Sequence, residues 1–448
     1  MRCFQNRNNV KVGNIFSKYL PAILVSIFSI IFVAGCSDNN TPVDNNHGST
    51  SKIQGRVTDN SGFQKVNGTE SSVQGATVIL ARVSVDGSLE TVSNANVQTD
   101  ANGYFIAETN VDGESNLVVI ATKSSSEWKA VVSATVKNGI TVYAPPLNDE
   151  TTVEAEVYAN IKASGNANVT FADIASIINS DIAAQVKGNA TAIVLLATSI
   201  NAEADAKVKT FTSAEVGGTQ SEWQAIVNVR AQVQAQLERD LFVATNQSDI
   251  DAAFEFYANA TIVAYQNAGL DVSACGKVYE AASRVLINSA ATINASVKFA
   301  IQKRIALVKA KIINFIIQAK FTAMGAAQVQ MTVLVTAAVT LNDSIKTATT
   351  FSEIITAFDN YHTAVINELK ITLGTNGTSI TTIESDIVGM KATLESSVSF
   401  SVSSDVVVNA YTMFYASVKT TVESILTAAS QVQVNATTQI LILLNAQF

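Results

Sequence analysis

The stretch Tyr143-Ala144-Pro145-Pro146-Leu147 divides this 448-residue sequence into two parts with different periodicity. No proline follows Pro146, and the residues after it are rich in Ala, Val, Ile and Gln. Because proline interrupts helices, this composition permits long helices. Before the two prolines, short runs of alternating apolar and polar residues are typical of β-strands. The sequence therefore predicts a multidomain chain, with a small all-β sandwich at 52-146 and a long all-α helical bundle at 147-448.

Alternation marks the strands of 52-146. Apolar or small residues alternate with polar ones in four sets, which are Ile53, Gly55 and Val57; Val78 and Leu80; Leu117, Val119 and Ala121; and Val132, Ala134 and Val136. Clusters of Asp, Asn and Gly separate these runs, and such residues favour turns. The pattern predicts about seven short antiparallel strands in a small β-sandwich.

Three motifs within this part are more specific than its class. They are Ile53-x-Gly55-x-Val57-x-Asp59, Val73-x-Gly75-Ala76-x-Val78-x-Leu80 and Thr99-Asp100-x-x-Gly103-x-Phe105. Together they resemble the carboxypeptidase regulatory-like, transthyretin-like domain that is common in bacterial envelope proteins. The resemblance implies a β-sandwich with a scaffold or binding role and no catalysis. We expect Gly103 to supply the positive φ of a turn and Phe105 to point into the core.

Helix start signals recur along 147-448. A hydroxyl three residues before a carboxylate forms a capping box, and the candidates are Thr170/Asp173, Thr219/Glu222, Ser248/Asp251, Thr350/Glu353 and Thr381/Glu384. Apolar residues at helical spacing follow, and Ile301, Ile305, Val308, Ile312 and Phe315 form a coiled-coil-like seam. These signals predict about seven to nine antiparallel helices. The segment 272-349 holds either one long helix or two that break near Gly325.

The N-terminus has the layout of an export signal. Four basic residues, Arg2, Arg7, Lys11 and Lys18, precede the uncharged apolar run 22-35. At its end, Val33-Ala34-Gly35-Cys36 resembles the lipobox of bacterial lipoprotein signal peptides, which implies cleavage before Cys36 and its acylation, for example with palmitate. An uncleaved membrane anchor is the alternative. A helix over 22-35 would reach only about 21 Å, however, against a hydrocarbon core of about 30 Å.

These features predict the organisation of the N-terminal region and its location. A lipoprotein signal peptide occupies 1-35, and the polar segment 36-51 forms a flexible tether. Ser37 is not the acidic residue that retains well-known Gram-negative lipoproteins at the inner membrane. We therefore expect a cell-envelope protein that is lipid-anchored at the outer membrane. Cys275 would be the remaining thiol, so no internal disulfide can form.

The net charge of the chain indicates which partners to expect. The net charge is −8, and removal of the four basic leader residues would make it about −12. Nucleic acid is therefore not expected as a partner. The expected partners are the membrane, through the lipid anchor, and an unidentified protein or glycan.

Three further features each have a functional and a structural interpretation. A basic face on the seam could bind anionic lipid or could be a flank paired with acidic neighbours. Its residues are Lys298, Lys303, Arg304, Lys309, Lys311 and Lys320, and the acidic neighbours are, for example, Glu238, Asp240, Asp249, Asp251 and Glu255. The uncharged segment 321-342 could insert into membranes or could form a helix that is buried on all sides. His362 lies in an apolar stripe, where a buried neutral imidazole is expected.

No other residue pattern in the sequence indicates a catalytic, cofactor or metal site. His47, His362 and Cys275 cannot build the zinc site of the peptidases that carry the regulatory-like domain, and no phosphate-binding loop or nucleophile elbow is present. We predict no catalytic, cofactor or metal site, and we assign Cys36 to lipidation. The expected function is a structural or partner-binding role in the envelope. The alternative is a membrane-perturbing helical protein that uses 321-342.

Overall fold

The computed structural model describes residues 50–60, 62–63, 71–166 and 168–446. These residues belong to one compact unit, Gly48–Phe448. The predicted signal peptide 1-35, Cys36 and almost all of the tether 36-51 lie outside the described residues. A region of strands up to Tyr143 is followed by helices from Asp149 to Asn445, which confirms the predicted order of the two fold types.

The described residues of the first region contain seven strands. They are β1 (Ser51–Arg56), β2 (Thr77–Val83), β3 (Leu89–Gln98), β4 (Tyr104–Thr109), β5 (Leu117–Lys123), β6 (Ser126–Val132) and β7 (Thr141–Tyr143). They form two sheets with the strand orders β4-β1-β7 and β3-β2-β5-β6. Two sequence expectations were wrong. The pairing of β1 with β7 is parallel, with Lys52 opposite Thr141, and the strand expected over 132–136 ends at Val132.

The motif residues have structural roles. Gly55 lies against the Phe105 ring, since a Cβ at Gly55 would be 2.3 Å from Cζ of Phe105. Gly103 has the predicted positive φ, 76°, and Phe105 is buried as expected. The Thr99 hydroxyl donates to Val73 O at 2.6 Å and accepts from Ala76 N at 2.9 Å. It thereby ties the end of β3 to the chain that enters β2.

The described residues of the helical region contain more helices than the seven to nine expected. Its described residues form α1 (Asp149–Ala163), α2 (Phe171–Ile177), α3 (Ser180–Val186), α4 (Ala190–Phe211), α5 (Gln220–Val243), α6 (Gln247–Asn267), α7 (Ser273–Ala290), α8 (Ala295–Ala323), α9 (Gln328–Thr347), α10 (Phe351–Leu373), α11 (Ser379–Val398), α12 (Ser404–Ile425) and α13 (Gln431–Asn445). The segment 272-349 contains neither one helix nor two, but α7, α8 and α9. Gly325, with φ of 76°, lies in the second break, as predicted.

Helices cover the outer face of the larger sheet. Leu117, Val119 and Ala121 of β5 point into the cluster shared by the two sheets. Val118 and Ile120, on the opposite face of the same strand, pack in a second cluster together with residues of α1, α4 and α8. The strand β5 is therefore buried on both faces, although the alternation of apolar and polar residues predicted only one buried face. Burial on both faces joins the strand region to the helices through a common core.

Helix α8 is packed on several sides. Its buried residues include Ile301, Ile305, Ile312, Ile316 and Phe321, and it packs against α7, α9, α10 and α13. The uncharged segment 321-342 covers the end of α8, the turn at Gly325 and most of α9. The expectation that this segment is buried on all sides was wrong for α9.

No helix within the described residues is long and apolar enough to span a membrane.

Candidate functional site

Buried carboxyl groups gather where the strand region meets the helices. The first turn of α1 is held by a capping box, in which Asn148 Oδ1 accepts from Thr151 N at 3.0 Å and Thr151 Oγ1 accepts from Asn148 N at 3.0 Å. This box sets the start of α1, so that Glu150 and Glu154, one turn apart, lie on the same face. Both are buried, with 6% and 3% of their surfaces exposed.

Glu238 reaches this junction from α5 and is only 1% exposed. Its Oε2 accepts a hydrogen bond of 2.9 Å from the backbone N–H of Ser133, the residue that follows β6. Its Oε1 accepts from Gln234 Nε2 at 3.4 Å. The Glu154 carboxyl has no hydrogen-bond partner among the described residues. We call Glu150, Glu154 and Glu238 the junction carboxyls.

Two small cavities lie at the junction. One is lined by residues that include Glu154, Gln234 and Glu238, together with Phe171 and Phe254. The other is lined by residues of the first region and of α5 and α6, among them Arg56, Pro146 and Leu241. Each has a volume of about 10 Å³. Such a cavity accommodates about one water molecule and is far below the roughly 300 Å³ or more of a pocket for an organic ligand.

Burial changes the acidity of the junction carboxyls. It raises the pKa of Glu150 and of Glu238 to about 8. It also raises the pKa of Glu154 well above its usual value, and the nearby carboxyls Glu150 and Glu238 raise it further. The positive charge of Arg304 on α8 acts in the opposite direction on Glu150 and Glu154. The junction carboxyls are therefore mostly protonated at neutral pH. The chemistry that this arrangement supports is the binding and release of protons.

A second buried group of charges surrounds Asp173 at the start of α2. Its Oδ1 lies 2.6 Å from Arg230 Nη1 and 3.1 Å from Lys207 Nζ, and Lys207 also contacts Glu203 at 2.8 Å. Burial opposes ionisation of Asp173, but Arg230 and Lys207 more than compensate and lower its pKa. The carboxylate also accepts from Thr170 N at 2.9 Å, which completes the capping box predicted there. This group pairs charges in a structural network.

The side chains of four of the six basic residues of the α8 seam have partners within the protein. Lys309 pairs with Glu280 at 2.6 Å and Lys320 with Asp271 at 2.5 Å. Lys303 Nζ donates to Ala348 O at 2.9 Å, and Arg304 Nε donates to Ser176 O at 3.0 Å.

Lys311 is exposed on α8, and its nearby acids are Glu255 and Asp251. Glu255 and Asp251 belong to the acid-rich group expected to face the seam. The geometry favours the paired flank over a lipid-binding surface.

Histidine and cysteine have no exposed reactive position among the described residues. His362 is half-buried rather than buried, and its Nε2 lies 2.8 Å from Glu384 Oε2. Cys275 is buried, and burial raises the pKa of its thiol to about 12. In the described part of the chain, no group of three or more His, Cys, Asp or Glu side chains has an arrangement that could hold a metal ion.

Comparison with known proteins finds no matching family model, no matching curated protein and no matching solved structure. Sequence reasoning had named Asp173 only as a helix cap and Glu238 only as an acidic neighbour of α8. Glu150 and Glu154 were missed, because carboxyls one turn apart on a helix are usually solvated.

Proposed function

We propose that this protein is a lipid-anchored component of a bacterial cell envelope, with a structural or partner-binding role. The observation that carries the proposal is Val33-Ala34-Gly35-Cys36 after an apolar run and four basic residues. Acylation of Cys36 with more than one chain would hold the protein stably on a bilayer. Ser37, at the position after the cysteine, favours the outer membrane.

The position of β1 supports this proposal. Within the described residues the first strand, β1, begins at Ser51, and the polar residues 36-50 lie between it and the proposed acylation site. A flexible coil of about fifteen residues spans roughly 20 Å. This length would hold the folded body just clear of the lipid headgroups.

We also propose that the strand region is a β-sandwich of the carboxypeptidase regulatory-like kind. Two sheets share one hydrophobic cluster, and the motif residues Ile53, Val78 and Phe105 are among its members. Such a domain would act as a scaffold next to the membrane. The proposed role is recognition or spacing, without catalysis, and the partner would be a protein or a glycan.

Substitution of the proposed acyl acceptor tests this function. Cells that express the Cys36→Ser variant are labelled with radioactive palmitate, and we expect no label in the protein and its loss from the membrane fraction. Cys275→Ser is the matched control, because its buried thiol is not an acyl acceptor and the label should be retained. Palmitate in the Cys36→Ser variant at the native level would contradict the proposal.

The second candidate is a membrane-perturbing helical protein that uses 321-342. One observation favours it, which is the exposure of Val329, Val333, Val335 and Val339 on α9. The compact unit Gly48–Phe448, without the lipid, should then release a dye from liposomes, and Val333→Glu should prevent the release. Intact liposomes at high protein concentration would exclude this candidate.

A further inference from the structure

The hairpin formed by α5 and α6 is anchored in the helical core at its open end. Trp223, Ile226 and Tyr265 belong to the largest hydrophobic cluster of the described residues. Farther along α5, Arg230 Nη1 lies 2.6 Å from Asp173 Oδ1 of α2. Beyond these anchors, the two helices pack chiefly against each other.

The closed end of the hairpin, residues 237–257, is attached by fewer contacts, and we call it the hairpin tip. Its buried apolar side chains form a small cluster of their own. Among the described residues, Ala172 of α2 is the one buried member of this cluster from outside the hairpin, and Phe63 of the first region packs against it. The hairpin tip therefore shares little of the core that stabilises the rest of the chain.

Contacts with the strand region also hold the hairpin tip in place. Glu238 Oε2 accepts a hydrogen bond of 2.9 Å from Ser133 N. The centroid of the Phe242 ring lies 5.9 Å from that of Tyr104 and 5.1 Å from that of Tyr143. The attachment to the strands thus combines a buried carboxyl group with an aromatic contact near the surface.

The hairpin tip covers a cavity that contains unpaired hydrogen-bond acceptors. Glu154, Gln234 and Glu238 line this cavity. The Glu154 carboxyl and Gln234 Oε1 have no hydrogen-bond partner among the described residues, although the two side chains are only 3% and 4% exposed. A protonated carboxyl can donate a hydrogen bond, whereas an ionised one can only accept. When both glutamates ionise, the cavity loses these donors and gains two like charges in a region of low polarity.

The charges around the cavity have opposite effects on this ionisation. On α1, Glu150 lies one turn before Glu154, and Asp181 of α3 acts on Glu150. The guanidinium group of Arg304 on α8 favours ionisation of Glu150 and Glu154, and Arg56 of β1 lines the adjacent cavity. The side chains of α2 and α6 that line the cavity are apolar. Burial outweighs the effect of Arg304 on both glutamates of α1.

We propose that the hairpin tip is a proton-controlled lid, which is closed while Glu154 and Glu238 hold protons and which opens about the Arg230–Asp173 anchor when they ionise. In the open state the carboxyls meet solvent and have an ordinary pKa of about 4.3. In the closed state, burial raises the pKa of Glu238 to about 8 and that of Glu154 well above its usual value. The closed state is therefore favoured most below a pH of about 4.3, and this advantage is lost as the pH rises to about 8. The lid does not depend on acylation of Cys36.

Hydrogen exchange of the full-length protein from pH 5 to pH 9, followed by mass spectrometry, tests the lid. Each rate is divided by that of the unfolded chain at the same pH, so that the quotient measures opening. We expect this quotient to rise by about 10-fold or more for the hairpin tip between pH 6 and pH 8, because each raised pKa contributes up to about 10-fold per pH unit. Strand β5, which is buried on both faces, should stay protected. An equal rise in β5, or a quotient for the hairpin tip that does not change with pH, would overturn the lid.

Amide substitutions identify the groups that control the lid. Glu154→Gln with Glu238→Gln should remove most of the rise, because amides do not ionise in this range. Glu255→Gln is the matched control, since Glu255 is exposed on the same hairpin tip, and it should leave the rise unchanged. Circular dichroism checks that the variants fold, and the pH series of the parent tests the lid without them. A rise that persists in the double variant, or that disappears with Glu255→Gln, would contradict the proposal.

A further variant separates the aromatic contact from the ionisation. Phe242→Ala removes the contacts with Tyr104 and Tyr143, so exchange of the hairpin tip at pH 6 should increase by about 10-fold. The ratio between pH 8 and pH 6 should stay as in the parent, because the glutamates are unchanged. Phe256→Ala is the control, since Phe256 is 42% exposed on the hairpin tip. Equal exchange in the two variants would show that the hairpin tip is not held against the strands and would overturn the lid.

Discussion

The backbone N–H of Ser133 donates a hydrogen bond of 2.9 Å to Glu238 Oε2, and this bond connects the end of β6 to α5 across 105 residues of sequence. Glu238 is almost completely buried, so the bond forms in a region of low polarity. Its strength depends on the protonation of a side chain whose pKa is about 8. The junction between the strands and the helices is therefore sensitive to pH.

We expect the protein to lose stability as the pH rises from about 5 to about 9. Burial raises the pKa of Glu150 and Glu238 to about 8, and that of Glu280 to about 7. A carboxyl with a raised pKa binds its proton more tightly in the folded state, so its contribution is complete below the unfolded pKa of about 4.3 and is lost as the pH passes the folded value. For each of these groups, the free energy of unfolding can fall by up to about 1.4 kcal/mol per pH unit within this window. Urea unfolding at several pH values measures this loss of stability. A urea midpoint that rises with pH would contradict the raised pKa values.

Replacement of two junction carboxyls by amides should reduce this pH dependence. In Glu154→Gln with Glu238→Gln, the amide oxygen at position 238 can still accept from Ser133 N, but no charge develops at alkaline pH. The variant should be more stable than the parent at pH 9 by about 1 to 3 kcal/mol and similar to it at pH 5. Glu423→Gln, at an exposed position of α12, is the control and should leave the pH dependence unchanged.

Two aspartates that each pair with a lysine should differ in their effect on stability. Asp173→Ala leaves Arg230 and Lys207 buried without their carboxylate, and we expect a loss of about 3 to 5 kcal/mol. Asp405 lies 2.7 Å from Lys209, but its side chain is 72% exposed. Asp405→Ala should therefore cost about 0 to 1 kcal/mol. Equal losses of unfolding free energy in the two variants would show that the Asp173 network is not buried as described.

The contact between Gly55 and Phe105 predicts that two Gly→Ala substitutions change stability in opposite directions. A methyl group at Gly55 would overlap the Phe105 ring, so Gly55→Ala should destabilise the strand region by about 1 to 3 kcal/mol. An added Cβ at Gly389 in α11 would meet no atom within 4 Å apart from its chain neighbours and the backbone of its own helix, and Gly389→Ala should stabilise the helix by up to about 1 kcal/mol. Thermal unfolding of the two variants checks both signs. A loss of stability with Gly389→Ala would contradict the second.

Helix starts show how far local sequence reasoning reached. The boxes predicted at Thr170, Thr219 and Thr350 are present. The box predicted at Ser248 was wrong, because Asn246 caps α6 and its Oδ1 accepts from Asp249 N at 3.0 Å.

The box predicted at Thr381 was also wrong. The chain is already helical there, since a 3-10 turn over Gly374–Thr378 leads directly into α11. The carboxylate of Glu384 contacts His362 instead.

The candidate site could be predicted only in small part. Glu150 and Glu154 follow a helix start and are one turn apart, which in most helices indicates a solvated face. Their burial depends on Glu238 of α5 and on the strands, which are remote in sequence. The sequence carries no local signal for such an encounter.

The sequence by itself determined the change from strands to helices at Pro145-Pro146, the turn at Gly103 and three helix caps. These features depend on backbone geometry and on hydrogen bonds between residues a few positions apart. Only the tertiary structure decided that β5 is buried on both faces, that α8 is packed on several sides, and that one side of α9 meets solvent. Burial is set by which distant elements pack against a surface, and uncharged apolar segments of similar composition are compatible with either outcome.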